Sequence, residues 1–340
     1  MKLYFAPMEG ITTYTYRNLH HRHYSGINKY FSPFVSPGPD QGLSVKEIRD
    51  VLPENNRDIP LIPQLMTNRS VDFIKAVQVM RDRGYSEVNL NLGCPSGTVV
   101  SKRKGSGFLA YPDDLNRFLE EIFSAPFIVK KEVEVSIKTR AGKESHEEWP
   151  RLMEIYNQYP VKELIIHPRV QQDLYKNTPS WEVFAQAVEK SKIPLVFNGD
   201  IFRVPEFLAF TERFPQIDRI MLGRGMVRNP ELAERILALY GEDAREGLRA
   251  SAADVGSGIS DESKTAARPD QFDKIRFRAF HDALIEEYSE YMYGERPVLY
   301  KMKELWFYMI SMFPDRQKIG KKIMKSNHLK EYRAIVDELF

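Results

Sequence analysis

Short apolar runs alternate with longer stretches of helical period over the first two-thirds of the chain. Leu3–Ala6, Lys29–Val35, Leu61–Met66, Glu87–Leu92, Val133–Thr139, Glu163–His167, Leu195–Asn198 and Arg219–Leu222 read as strands. The segments between them read as helices. Tyr14–Tyr24 and a short Val45–Val51 come first, and Val71–Arg83 follows with apolar residues at Val71, Ile74, Val77, Val79 and Met80. A helix opened by Pro112 and Asp113 runs through Leu115, Phe118, Leu119 and Ile122. Further helices are predicted around Trp149–Tyr159 and over Trp181–Lys190, Glu206–Arg213 and Glu231–Leu239. Eight strand-helix units over residues 1–240 match the size of an α/β fold of the (β/α)8 TIM-barrel type. The strands also lack the polar alternation of a half-solvated sheet.

A doubly wound open sheet competes with the barrel, and the polar positions decide between them. Each sits at a carboxyl end of a strand: Ala6-Pro7-Met8 after the first, Gln64 in the third, Asn91 and Cys94 after the fourth. Lys138 and Arg140 follow the fifth, His167 and Arg169 the sixth, Asn198-Gly199-Asp200 the seventh and Gly223-Arg224-Gly225 the eighth. Only closure into a barrel gathers all of them around one mouth. After Tyr240 the texture changes. Residues 241–270 are rich in Ala, Ser, Gly and Asp and are expected to be a flexible insertion or linker. Residues 271–340 are helical by pattern and rich in aromatics, as expected of a small C-terminal helical domain.

Composition narrows the class. The 340 residues are 42% hydrophobic and 28% charged, ordinary values for a folded globular chain. No run approaches the roughly 20 apolar residues of a membrane span. The amino terminus meets Pro7 and Glu9 too early for a secretory leader, so a cytoplasmic protein without membrane contact is expected. A single cysteine excludes an intramolecular disulfide and a multi-cysteine metal site. The net charge of +2 requires that any polyanion meet a local patch.

That cysteine stands in Asn89-Leu90-Asn91-Leu92-Gly93-Cys94-Pro95-Ser96, where an alternating strand enters a turn it cannot continue through. With Leu90 and Leu92 packed outward, Asn89 and Asn91 face the barrel interior and need partners. Gly199 and Gly223-Arg224-Gly225 read either as tight turns or as a phosphate cradle. Lys138 ends an apolar strand, where it is a Schiff-base nucleophile, an anion partner or a snorkelled surface charge. His167 ends Leu164-Ile165-Ile166 as a structural donor or a catalyst, with no neighbour at metal-ligand spacing, so no catalytic metal is expected. Together a phosphate cradle, a lysine, a histidine and the amides of Gln64 and Asn198 suit flavin mononucleotide (FMN). Cys94, with an ordinary thiol pKa of about 8.5, then suits a proton donor.

These motifs, in this order, resemble the tRNA-dihydrouridine synthase family. The quoted residues are Ala6-Pro7-Met8 with Gly10-Ile11-Thr12 and Arg17, Gln64-Leu65, Asn91 to Pro95, Lys138-Thr139-Arg140, Ile166 to Arg169, Asn198 to Asp200 and Gly223 to Gly225. The resemblance implies an FMN-bearing barrel followed by a helical domain that binds tRNA. NADPH is then the reductant, hydride passes to the 5,6 double bond of a tRNA uridine, and Cys94 protonates the neighbouring carbon. It assigns Ala6, Pro7, Met8, Gln64, Lys138, His167, Asn198, Gly199, Asp200, Gly223 and Arg224 to the cofactor, and Asn91, Arg140 and Arg169 to the substrate; a monomer is expected. The family carries glycine after the strand-six histidine where this chain has Pro168, so the loop through Gln171, Tyr175 and Trp181 is altered. Arg316, Lys318, Lys321, Lys322, Lys325 and Lys330, interleaved with Ile319, Ile323 and Met324, form either a solvated face or a phosphate-contacting one. The competing activities are a flavin-dependent dehydrogenase of a free pyrimidine, an aldolase using Lys138 and a non-catalytic tRNA-binding factor.

Overall fold

The computed structural model describes residues 1–38, 43–240 and 272–340, so the linker expected at 241–270 lies outside the described residues. Nine parallel strand segments form one sheet: β1 (Lys2–Phe5), β2 (Lys29–Phe31), β3 (Leu61–Ile62), β4 (Gln64–Leu65), β5 (Glu87–Leu92), β6 (Glu134–Arg140), β7 (Leu164–His167), β8 (Leu195–Phe197) and β9 (Arg219–Leu222). Their order is β3-β2-β1-β9-β8-β7-β6-β5-β4. The two ends of that order, β3 and β4, are joined in the chain by Pro63 alone, so the sheet closes on itself. The expected third strand is split there because proline has no N–H to donate. Its carbonyl still accepts from the Asn89 N–H at 2.9 Å, and the Val35 N–H reaches the Gln64 carbonyl at 2.7 Å across the seam. The result is an eight-strand barrel whose third strand is kinked at its midpoint.

Alternation sorts the side chains. Tyr4, Ala6, Phe31, Ile62, Ile165, Val196 and Met221 form a small apolar cluster inside the barrel. Leu3, Phe5, Leu90, Leu92, Ile137 and Ile166 point outward into the larger core shared with the helices. At the amino-terminal end the barrel is plugged by charge: Lys29 bridges Glu87 at 2.9 Å and Glu163 at 2.8 Å, and the Tyr4 hydroxyl donates to Glu163 at 2.8 Å. These charges fill the floor of the barrel, and the site described below lies at the carboxyl ends of the strands. The helix predicted at Val71–Arg83 forms over Ser70–Asp82, turned so that Phe73, Ala76, Val77 and Met80 are buried while Val71 is 55% exposed.

The C-terminal helices Lys274–Tyr291, Glu295–Met309, Gln317–Lys325 and Leu329–Asp337 share a core around Trp306 and Tyr332, whose hydroxyl is 2.6 Å from His281 Nε2. They dock on the barrel through Phe280, which meets Tyr16 and Tyr24 edge-on at 5.6 and 5.4 Å. That docking carries Phe307 and Tyr308 to the barrel mouth. In Gln317–Lys325, Ile319 and Ile323 face inward, whereas Met324 is 48% exposed beside the lysines rather than packed with them. Among the described residues no helix is long and apolar enough to cross a membrane.

Candidate active site

The turn after β5 is held by an amide ladder running across three strands. Asn91 Oδ1 accepts the backbone N–H of Gly93 at 3.0 Å and of Cys94 at 2.9 Å, which fixes the orientation of its amide. Asn91 Nδ2 donates to Gln64 Oε1 at 2.7 Å, Gln64 Nε2 to Asn89 Oδ1 at 2.8 Å, and Asn89 Nδ2 to Ser136 Oγ at 3.0 Å. The Cys94 carbonyl accepts from Ser106 twice, through its N–H at 3.1 Å and its hydroxyl at 2.8 Å. The thiol thus rides on a turn fixed from both sides by groups other than its own sulfur. Burial pushes its pKa up, with the Glu9 carboxylate adding in the same direction, so Cys94 holds its proton at neutral pH.

Ser106 reaches that carbonyl because Gly105 turns the chain at φ +55°, where an added Cβ would lie 2.8 Å from the Cys94 oxygen. Gly105→Ala is expected to destabilise the fold by about 1–3 kcal/mol. The loss should appear as a lower thermal midpoint together with weakened activity, and an unchanged midpoint would contradict the role given to this turn.

Lys138 stands on β6 opposite Asn91 in the β5–β6 register. Among the described residues its ammonium has no hydrogen-bond or ion-pair partner, and burial, reinforced by Arg140, lowers its pKa to about 7. A buried cation without a counter-charge is costly unless something absent from the chain supplies one. His167 is arranged differently. Its Nδ1 lies 2.7 Å from the Asn198 carbonyl, which only accepts, so Nδ1 carries the proton and Nε2 accepts from Arg169 Nη1 at 3.2 Å. Burial first, then Arg140 and Lys138, hold its pKa well below the usual range, and the ring is neutral.

The three arginines have separate duties. Arg140 donates to the carbonyls of Gly93, Val170 and Leu174, each at 2.9 Å, and so ties the Cys94 turn to the loop after β7. Arg169 is 1% exposed, pairs with both carboxylate oxygens of Asp200 and donates to the Asn177 carbonyl. It lines neither of the cavities described next; the structure places it behind His167, where its guanidinium is already engaged. Arg224 takes the other side of Asp200 Oδ1 and lies over the Tyr175 ring, 4.5 Å from its centroid.

Two cavities meet at the mouth. One, of about 280 Å³, is lined by Ala6, Met8, His167, Asn198, Gly199, Asp200 and Gly223-Arg224-Gly225. The other, of about 290 Å³, is lined by Gln64, Asn91, Cys94 and Pro95. Pro7, Met8, Gly93, Lys138, Tyr175 and Tyr308 belong to both. The lone ammonium therefore stands on the wall common to a glycine- and arginine-lined pocket and a thiol-lined one. Tyr175 and Tyr308 were not singled out as site residues by sequence. Tyr175 was seen only as part of an altered loop, although an aromatic flanked by strand-end arginines is a usable signal.

The family described as Dihydrouridine synthase (Dus) matches residues 4–254. The chain is 26% identical over 325 residues to the tRNA-dihydrouridine synthase B of Shewanella oneidensis, covering 85% of this chain and 95% of that protein. It is 25% identical over 244 residues to the synthase B of Pasteurella multocida, covering 72% and 71%. Against the tRNA-dihydrouridine(16) synthase of Pseudomonas syringae pv. tomato it is 31% identical over 179 residues, 53% and 55% of the two chains. Among solved structures, histamine dehydrogenase from Rhizobium sp. 4-9 shares the fold, with a TM-score of 0.52 at 13% identity over 72% of this chain and 46% of that one. Since the family match runs from β1 past the end of the barrel, through every strand that feeds the mouth, the chain belongs to the dihydrouridine synthase family.

Proposed function

We propose that this dihydrouridine synthase holds FMN across the two cavities and reduces a uridine of tRNA, with NADPH as the source of electrons and Cys94 as the proton donor. The observation that carries the reading is the partnerless Lys138 ammonium on the wall that both cavities share. The residues present fit the cofactor. Gly223, where an added Cβ would meet nothing closer than Ala6 at 3.4 Å, leaves room beside Arg224 for a phosphate, and Lys138 offers positive charge to an electron-rich ring. When bound, FMN supplies the hydride to one carbon of the uracil 5,6 double bond.

The protein's own residues supply the remainder. Cys94, its thiol kept protonated by burial, delivers a proton to the neighbouring carbon, so that one hydride and one proton saturate the double bond. Asn91 orients the thiol through the Gly93 and Cys94 N–H groups and faces the base from the same wall. Gln64 keeps Asn91 in that amide orientation. Asp200 holds Arg169 behind His167 and Arg224 beside the phosphate cradle, which makes Arg169 a positioning residue. Pro7 and Met8 line both cavities. The uracil must leave its stack to reach Cys94. Lys318, Lys321 and Lys325, which have no acidic partner among the described residues, are assigned to the tRNA backbone. A monomer is proposed.

Incubation of unmodified tRNA with the purified yellow protein and NADPH, followed by nucleoside analysis, tests the reading. Dihydrouridine is expected in the tRNA, with steep loss of activity as salt rises. Reduction of free uridine at the same efficiency as tRNA, or no dihydrouridine at all, would reject it.

A further inference from the structure

A third cavity, of about 380 Å³, lies beside the thiol pocket and shares Glu9, Pro33 and Phe34 with it as a common rim. It is built from four parts of the chain: residues 9–14 after β1, residues 33–35 after β2, the helix Val45–Val51 and the C-terminal residues Tyr291, Met292 and Lys301. Nothing in the chemistry assigned above uses it. Its charges divide into spent and unspent. Asp50 is committed to the Tyr14 N–H at 2.7 Å and to Arg17 at 2.9 Å, and Glu47 to the Ser36 N–H at 2.8 Å and the Ser44 cap. Lys301 is committed to the Gly10 carbonyl and to Glu304.

Lys46 and Arg49 remain. Neither has a carboxylate partner among the described residues. The Arg49 guanidinium lies over Tyr291, 4.8 Å from the ring centroid, and over Tyr14 at 5.8 Å, with no side-chain hydrogen bond or ion pair among the described residues. A planar fork of donors with no ion-pair partner among the described residues, beside the Lys46 ammonium, matches a phosphodiester, and the neighbouring aromatic rings match a planar base. Glu9, on the common rim, lies within Coulombic reach of Lys46 and Lys301 while burial raises its pKa, and its carboxyl can accept an N–H or a hydroxyl.

We propose that this cleft receives the nucleotide next to the reduced uridine on the same strand, its phosphodiester on Arg49 and Lys46 and its base against the Tyr14, Tyr291 and Phe34 rings. The assignment rests on the reading of tRNA as substrate. An extruded uridine in the thiol pocket leaves its neighbour at the rim, and this adjoining opening carries Arg49 and Lys46, which have no ion-pair partner among the described residues.

Two measurements on the full-length protein test it. In tRNA carrying 4-thiouridine immediately before or immediately after the reduced position, irradiation should cross-link one of the two to a peptide containing Tyr14, Phe34 or Tyr291. In the doubly substituted Lys46→Gln/Arg49→Gln protein, KM for tRNA should rise about tenfold with a shallower salt dependence, while kcat, flavin content and thermal midpoint stay at wild-type values. Cross-links from both positions confined to other peptides, or an unaltered KM, overturn the assignment while leaving the uridine chemistry intact. Wild-type protein that forms no dihydrouridine overturns the substrate reading as well, and is distinguished by failing before any substitution is made.

Discussion

Cys94→Ala is expected to slow dihydrouridine formation by about 10² to 10⁴-fold, the range associated with removing a positioned general acid. Flavin content, affinity for tRNA and thermal midpoint should stay near wild type. The expectation of an intact fold follows from the hydrogen bonds: the turn is fixed through the Cys94 N–H to Asn91 and the Cys94 carbonyl to Ser106, and alanine keeps both. Only the transferable proton is lost. Because burial raises the thiol pKa, the wild-type rate should hold through neutral pH and fall only as pH rises through that elevated value. Steady-state rates from pH 6 to 10 check the sign. A fall that begins on the acid side would mean that Cys94 works as a thiolate and not as an acid.

The second large effect is expected at Lys138. Lys138→Met removes the one positive charge that both main cavities share and should leave the purified protein colourless, with flavin content reduced at least tenfold. The same change should stabilise the cofactor-free protein by about 1–3 kcal/mol, since it removes a buried ammonium with no partner. The pH dependence has a definite sign. The folded-state pKa is lowered to about 7, so between there and the ordinary lysine range the unfolded chain holds a proton that the folded, cofactor-free chain does not. Stability of the cofactor-free wild type should therefore rise as pH rises above 7 and level off once the unfolded lysine also loses its proton. In Lys138→Met that slope should vanish. Calorimetry on cofactor-stripped protein measures both, and equal slopes in the two proteins would show that the ammonium is not buried as described.

How much of this could be read from the chain depended on whether the deciding contacts were local. The strand running from Glu87 to Leu92 and its exit into Cys94 were legible because alternation alone sends Leu90 and Leu92 outward and Asn89 and Asn91 inward. Lys138, Gln64, Asn198 and the glycine turns line the cavities at the mouth for the same reason: strand-end position and barrel closure suffice to gather them. Periodicity gives direction but not partner. Arg169 follows His167 and looks like a second ligand-facing cation, yet Asp200, 31 residues away, takes its guanidinium and turns it behind the histidine. Leu61–Met66 reads as one strand, and its split at Pro63, a seam that closes through a single residue, required the pairing order. Tyr308 was beyond reach, since only the docking of the C-terminal helices on Tyr16 and Tyr24 delivers it to the site. The cleft at Arg49 was equally hidden, because it exists only where that docking leaves a gap beside the loop after β1.

The account turns on a flavin and a thiol facing one extruded uracil from two walls of a single opening. The most direct test is one turnover without oxygen: the protein is reduced with a single equivalent of NADPH and then mixed with unmodified tRNA. The account predicts that the yellow flavin absorbance returns on mixing, with one dihydrouridine formed in tRNA for each flavin reoxidised, and that the Cys94→Ala protein stays bleached over the same interval. Reoxidation at equal rates in the two proteins, or a flavin that tRNA leaves reduced, would contradict it.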